Sequence, residues 1–251
     1  MKHEVLNNVD HANLFINSQF KPGCGFDFNL TSVFPVEYIR LQSHYPIFFT
    51  HDKETNFYQS VAMLGFEENE NLFLESKGVL TALPLSIQRI PFYIGKRTKI
   101  EGGIPVDEKN LTIDVDHPSV NQDSGNRIFL EHGGNSDYLN HINRVLVTID
   151  ENMKELEEFS QLLSSLDLFE PLNLSVDLDK NNNNFTIKGL WTINETKLKD
   201  LDEKSIFELH RKGFLQHIYM IAASIGNMNN LIHLKKLRIQ LNYADYIRAN
   251  L

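Results

Sequence analysis

Cysteine is nearly absent: Cys24 stands alone in 251 residues. Neither an intramolecular disulfide nor a cysteine-ligated zinc site can form. Long apolar runs are also missing. No stretch approaches the roughly 20 consecutive apolar residues of a membrane span, and residues 1–10 hold no apolar core of an export signal. The sequence therefore predicts a cytoplasmic chain without membrane insertion. Positive charge is in the minority. A net charge of −9 repels phosphate, so no nucleic-acid partner is expected. The two short basic stretches, Lys96–Lys99 and His233–Arg238, read as solvated loops or helix faces. The common signatures of nucleotide, dinucleotide and hydrolase chemistry are missing too: no Gly-x-Gly-x-x-Gly, no Walker loop, no Gly-x-Ser-x-Gly elbow and no His-Glu-x-x-His. No cofactor and no metal are expected.

What is there is ordinary globular composition, 41% hydrophobic and 23% charged. A chain of this length can bury about 70–75% of its unfolded surface without a covalent or metal staple. Residues 1–30 are rich in Asn, Asp, Gly and Pro and read as a flexible arm laid over the body, with Phe15, Phe20, Phe26 and Phe28 as anchors. A short helix over Phe34–Ser43 with Pro35 in its first turn follows. His44–Thr50, Tyr58–Gly65 and Asn71–Glu75 read as strands, as do Leu111–Val115 and Arg127–Glu131. Together they predict a mostly antiparallel β region from Thr31 to Glu131.

The pattern then changes. Ser136 or Asn135 can cap a helix. Apolar residues recur in steps of three or four from Leu139 to Leu166, which predicts one long helix, or two in line, stopped by Pro171. Leu172–Leu178 and Phe185–Trp191 alternate with period two and read as a hairpin around an Asn-rich turn. Asp202 caps a helix over Glu203–Ser224, with Asn227–Arg238 as its antiparallel partner and Gly226 near the turn.

Residues that could carry chemistry are few. Arg89 lies inside the apolar run Leu80–Ile94, and a buried arginine must be paired or reach the surface. With Phe92 and the neighbouring aromatic residues it could line a groove for a peptide, the guanidinium pairing a carboxylate; packing of these rings in a core is the competing reading. His210 and His217, seven apart, fall on one face of the predicted helix and could face a ligand, against the plainer reading of an acid-facing His210 and a packed, hydrogen-bonded His217. His132, Asp137 and His141 contain the residue types of a two-histidine, one-carboxylate set, but Asp137 and His141 at i, i+4 are already a sufficient helix pair. Cys24 has no visible base and reads as incidental.

The order and spacing of several pieces carry a family resemblance. They are His44–Phe49, Val61–Gly65, Asn71–Leu74, Gln88–Phe92, Gly189–Leu198, Leu209–Leu215 and Ala223–Gly226. Over about Phe34–Leu234 the chain resembles the SapC-like proteins of Gram-negative bacteria. The resemblance implies an accessory protein linked to tryptophan-halogenase-like and cupin-like enzymes and to TonB-dependent uptake. It supplies no catalytic residues. The polar N-terminal segment and the stretch around 100–120 depart from the pattern.

The expected fold is α+β: a curved antiparallel sheet region, then a long helix, a β-hairpin and a C-terminal helical hairpin. The expected organisation is an arm over 1–30, one body over 31–239 and a tail over 240–251. The leading functional expectation is a non-enzymatic binding protein with a protein or peptide partner and candidate binding residues Arg89, Phe92, Trp191, His210 and His217. Two alternatives stay open: an enzyme with Arg89, His210 and His217 around a pocket, and a component of surface-layer protein export. Homo-oligomerisation also stays open.

Overall fold

The computed structural model describes residues 2–74, 82–101, 104–172, 174–177 and 184–249. In chain order the elements begin with β1 (His3–Val5), β2 (Phe15–Ile16) and β3 (Leu30–Ser32). A 3-10 turn over Pro35–Glu37 leads into α1 (Tyr38–Leu41), then β4 (Ile47–Asp52), β5 (Phe57–Met63) and α2 (Leu85–Gln88). Next come β6 (Phe92–Glu101), β7 (Ile104–Asp114), β8 (Val120–Asn121), β9 (Asn126–Arg127) and the long α3 (Asp137–Ser165). The remainder is β10 (Phe169–Pro171), β11 (Leu174–Asp177), β12 (Asn184–Ile187), β13 (Leu190–Ile193), α4 (Glu195–Lys199), α5 (Glu203–Arg211), α6 (Phe214–Ser224) and α7 (Met228–Ala249). Strand pairing is antiparallel throughout, and the fold class is α+β. No helix among the described residues is long and apolar enough to cross a membrane.

The chain divides into two compact units. Residues 1–27 and 85–150 form the first; residues 28–84 and 151–251 form the second. In the first unit β6 and β7 make a long hairpin, and β1 adds to its β7 edge with Val5 opposite Thr112. A second small sheet places β2 between β8 and β9. The apolar stripe of α3 closes the core: Leu139, Ile142 and Leu146 pack with Ile16, Phe92, Ile113, Ile128 and Phe129. Each such side chain contributes roughly 1.5–3 kcal/mol on burial. Ser136 starts α3 as expected, its Oγ accepting from the Leu139 N–H at 3.1 Å.

The second unit is built on a five-stranded sheet in the order β10-β13-β4-β5-β3, with β11 and β12 as a separate two-stranded ribbon. Leu156, Phe159 and Leu163 of α3 and Ile218 and Ile221 of α6 are fully buried in it. Buried hydroxyls tie strands to helices. Ser160 accepts from the Tyr58 N–H at 2.8 Å, and Ser224 accepts from the Ile47 N–H at 2.9 Å. Asn194 and Asp202 cap α4 and α5, each side chain accepting a backbone N–H three residues on.

Several local expectations change. Leu72–Leu74 form a turn, not a strand: the Asn71 carboxamide accepts from the Phe73 N–H at 3.1 Å, and the apolar character of the stretch serves burial. Glu75 and the Asn-rich turn over 178–183 lie outside the described residues. The expected strand ending at Trp191 is two strands, β12 and β13, separated by Gly189 at φ 80°, and only β13 joins the main sheet. Lys96–Lys99 belong to β6 rather than to a loop or helix. The segment 1–27 contributes two strands and the buried His11 and Ile16 to the first unit, where an arm over a single body was expected. Residues 240–249 continue α7 instead of forming a separate tail.

Candidate functional site

Arg89 follows α2 in a tight turn. Its N–H donates to the Leu85 carbonyl at 3.1 Å, and its own carbonyl accepts from the Phe92 N–H at 2.7 Å. This turn folds the side chain back over β6. The guanidinium donates to the Phe92 carbonyl at 2.9 Å and lies 4.3 Å from the centre of the Tyr93 ring. The edge of the His3 ring meets Tyr93 in turn, at 4.9 Å. Burial pushes the Arg89 pKa below its ordinary value, and Tyr93 works against that shift. An arginine remains charged nonetheless. Among the described residues no carboxylate forms an ion pair with it. A guanidinium carries five donors, and the Phe92 carbonyl takes one of them here, so the planar fork can also address an anion. Phe92 itself is fully buried in the core of the first unit. It holds the turn in place and presents no surface.

Trp191 lies in the second unit, in an aromatic cluster at one end of the β4–β5 hairpin. Tyr58 is stacked between His51 at 4.2 Å and Phe169 at 3.8 Å, and Trp191 meets His51 and Tyr58 edge-on at 5.4 Å. Tyr58 and Phe169 are buried, whereas Trp191 and His51 are half-buried. The registers Trp191↔Phe49 and Tyr58↔His51 put these side chains on one face of the sheet.

His210 and His217 do not share one helix. Gly213, at φ 78°, ends α5 and starts α6, so the seven-residue spacing no longer fixes a common face. His210 is exposed. His217 is packed edge-on to Tyr38 and Phe159 at 5.4 and 5.9 Å, with Nε2 3.1 Å from the Glu155 carboxylate. Its Nδ1 is buried with no hydrogen-bond partner among the described residues. Arg89 and Phe92 belong to the first unit; Trp191, His210 and His217 belong to the second. Among the described residues no three His, Cys, Asp or Glu side chains are gathered to hold a metal ion, and His132, Asp137 and His141 are all exposed.

Two sites escaped sequence reasoning. Lys235 on α7 is 5% exposed and donates to Glu67 at 2.5 Å and Glu70 at 2.6 Å. A lysine within a run of basic residues gives no hint of such burial. The second is a cleft of about 80 Å³ between α4 and α6, lined by Glu195, Leu198, Lys199, Tyr219 and Ala222. Its only sequence signal is the opposite charges one turn apart on α4.

Neither a curated protein nor a solved structure matches the chain. The SapC family model matches residues 6–231, covering nearly all of the first unit and most of the second. The matched range includes residues 6–33 and the β6–β7 hairpin. The chain belongs to the SapC family.

Proposed function

We propose that this SapC-family protein is a non-catalytic binding protein of the cytoplasm and that Arg89 receives a carboxylate of its protein or peptide partner. The observation that carries this reading is a half-buried guanidinium with no acidic partner among the described residues. Removing such a cation from water without a counter-ion is unfavourable. An incoming carboxylate supplies the missing charge and can use the planar fork in a bidentate pair. Tyr93 beneath the guanidinium fixes its plane in advance, which lowers the ordering cost of binding. The family resemblance supports a partner linked to tryptophan-halogenase-like or cupin-like enzymes and to TonB-dependent uptake.

The test is gentle purification of the tagged protein and of Arg89→Met from a bacterial host, with the retained polypeptides quantified by mass spectrometry. The reading expects a polypeptide retained by the native chain and depleted about tenfold with the variant, the equivalent of about 1.4 kcal/mol. The same polypeptides at the same yield with both chains would overturn it.

A further inference from the structure

The cleft between α4 and α6 has two features that a simple packing defect lacks. Its floor and wall are apolar: Leu198 is buried, Ala222 is half-buried and Tyr219 stands 58% exposed. Its rim carries one charge of each sign, Glu195 and Lys199. These two are one turn apart on the same helix, separated by about 6 Å along the axis. A glutamate four residues before a lysine is the favoured order for a helical ion pair. Here the two do not pair with each other, and neither makes an ion pair elsewhere among the described residues. Lys197 on the same helix is engaged, by Asp167. Both free charges therefore border the one cleft.

We propose that this cleft binds a free α-amino acid with a short aliphatic side chain. Glu195 takes the ammonium group, Lys199 takes the carboxylate, and Leu198, Ala222 and Tyr219 receive the side chain. A zwitterion is the occupant whose charge complements the rim. A peptide terminus offers one charge of the pair, and a simple anion or cation leaves one rim group opposed or unused. Size sets the side chain: about 80 Å³ is roughly half the 150 Å³ of an engineered apolar cavity that takes benzene, which suits three or four carbons. The alternative state, Glu195 paired with Lys199, is worth only about 0.2–0.5 kcal/mol and is easily displaced. This site lies in the second unit and does not depend on the role of Arg89.

The experiment is saturation-transfer NMR on the full chain with L-valine, beside isovalerate and isobutylamine. These analogues keep the side chain and remove the ammonium or the carboxylate respectively. Glu195→Gln and Lys199→Gln are titrated in parallel; both positions are exposed, and the amide spectrum of each variant checks its fold. Saturable valine binding is expected at millimolar concentration, weakened about fivefold by each analogue and each variant, a loss of about 1 kcal/mol. Absence of saturable binding would overturn the proposal. So would equal binding of valine and its analogues, or unchanged binding by both variants.

Discussion

The two units treat a partly buried cation in opposite ways. In the second, Lys235 is enclosed and supplied with two carboxylates, Glu67 and Glu70. The loop presenting them is itself tightly built. Glu70 accepts from the Phe66 N–H at 2.9 Å, and Gly65 sits so close to the Glu70 carbonyl that a Cβ there would lie 2.3 Å from its oxygen. In the first, Arg89 has an aromatic ring, a carbonyl and, among the described residues, no acid. A cation enclosed with its counter-ions is spent on the fold. A cation held in place without one can still accept a carboxylate in a bidentate pair.

The largest expected effect breaks the enclosed site. Lys235→Met leaves the Glu70 carboxylate buried without its cation, and the loss is expected at about 3–5 kcal/mol. Urea unfolding followed by the fluorescence of Trp191, the single tryptophan and a reporter of the second unit, measures it. Adding Glu70→Gln removes the stranded charge and should recover part of the loss; no recovery would show that the ion pair is not its source.

Two buried hydroxyls of the second unit sharpen the same contrast between filled and unfilled groups. Ser160→Ala orphans the Tyr58 N–H and should cost about 1–3 kcal/mol. Thr192→Val should leave stability unchanged or raise it by up to about 1 kcal/mol, because the buried Thr192 hydroxyl has no partner among the described residues. Equal losses in the two variants would contradict this assignment.

A smaller effect belongs to the first unit. Burial lowers the pKa of His117, against a hydrogen bond to the Gly25 carbonyl and the charge of Asp114. The folded state therefore favours the neutral ring. Its contribution is present above the ordinary histidine value and is lost as pH falls through roughly 6.5 and below. The stability of the first unit, followed by amide exchange in β7, should decline over that window, and His117→Gln should flatten the decline. A rise in stability on acidification, or a slope unchanged by the variant, would contradict the assignment.

Local signals were the most legible. The three–four periodicity of Leu139 to Leu163 and the cap at Ser136 describe α3 nearly as it stands, and Asp202 marks the start of α5. The β6–β7 hairpin was not legible at full length. From Gly95 to Asp107 the stretch is charged and glycine-containing, and it lacks the alternation that marks a strand. The break at Gly213 was hidden by apolar spacing that continues across it. The two-unit division was hidden because β1 pairs with residues more than a hundred positions away. For Arg89 the sequence posed the question of its partner. The answer needed the turn that lays it over Tyr93, where no described carboxylate meets it.

The most direct test of that contrast is the unfolding free energy of Arg89→Met, read from amide exchange in β7. The lost carbonyl bond, about 0.5–1.5 kcal/mol, and ring contact, about 0.5–1 kcal/mol, are offset by relief of the buried, uncompensated charge. The first unit should therefore stay within about 0.5 kcal/mol of the native value, the usual range for a change outside the core. A loss above about 2 kcal/mol would contradict the account, because Arg89 would then hold its unit together much as Lys235 holds the second.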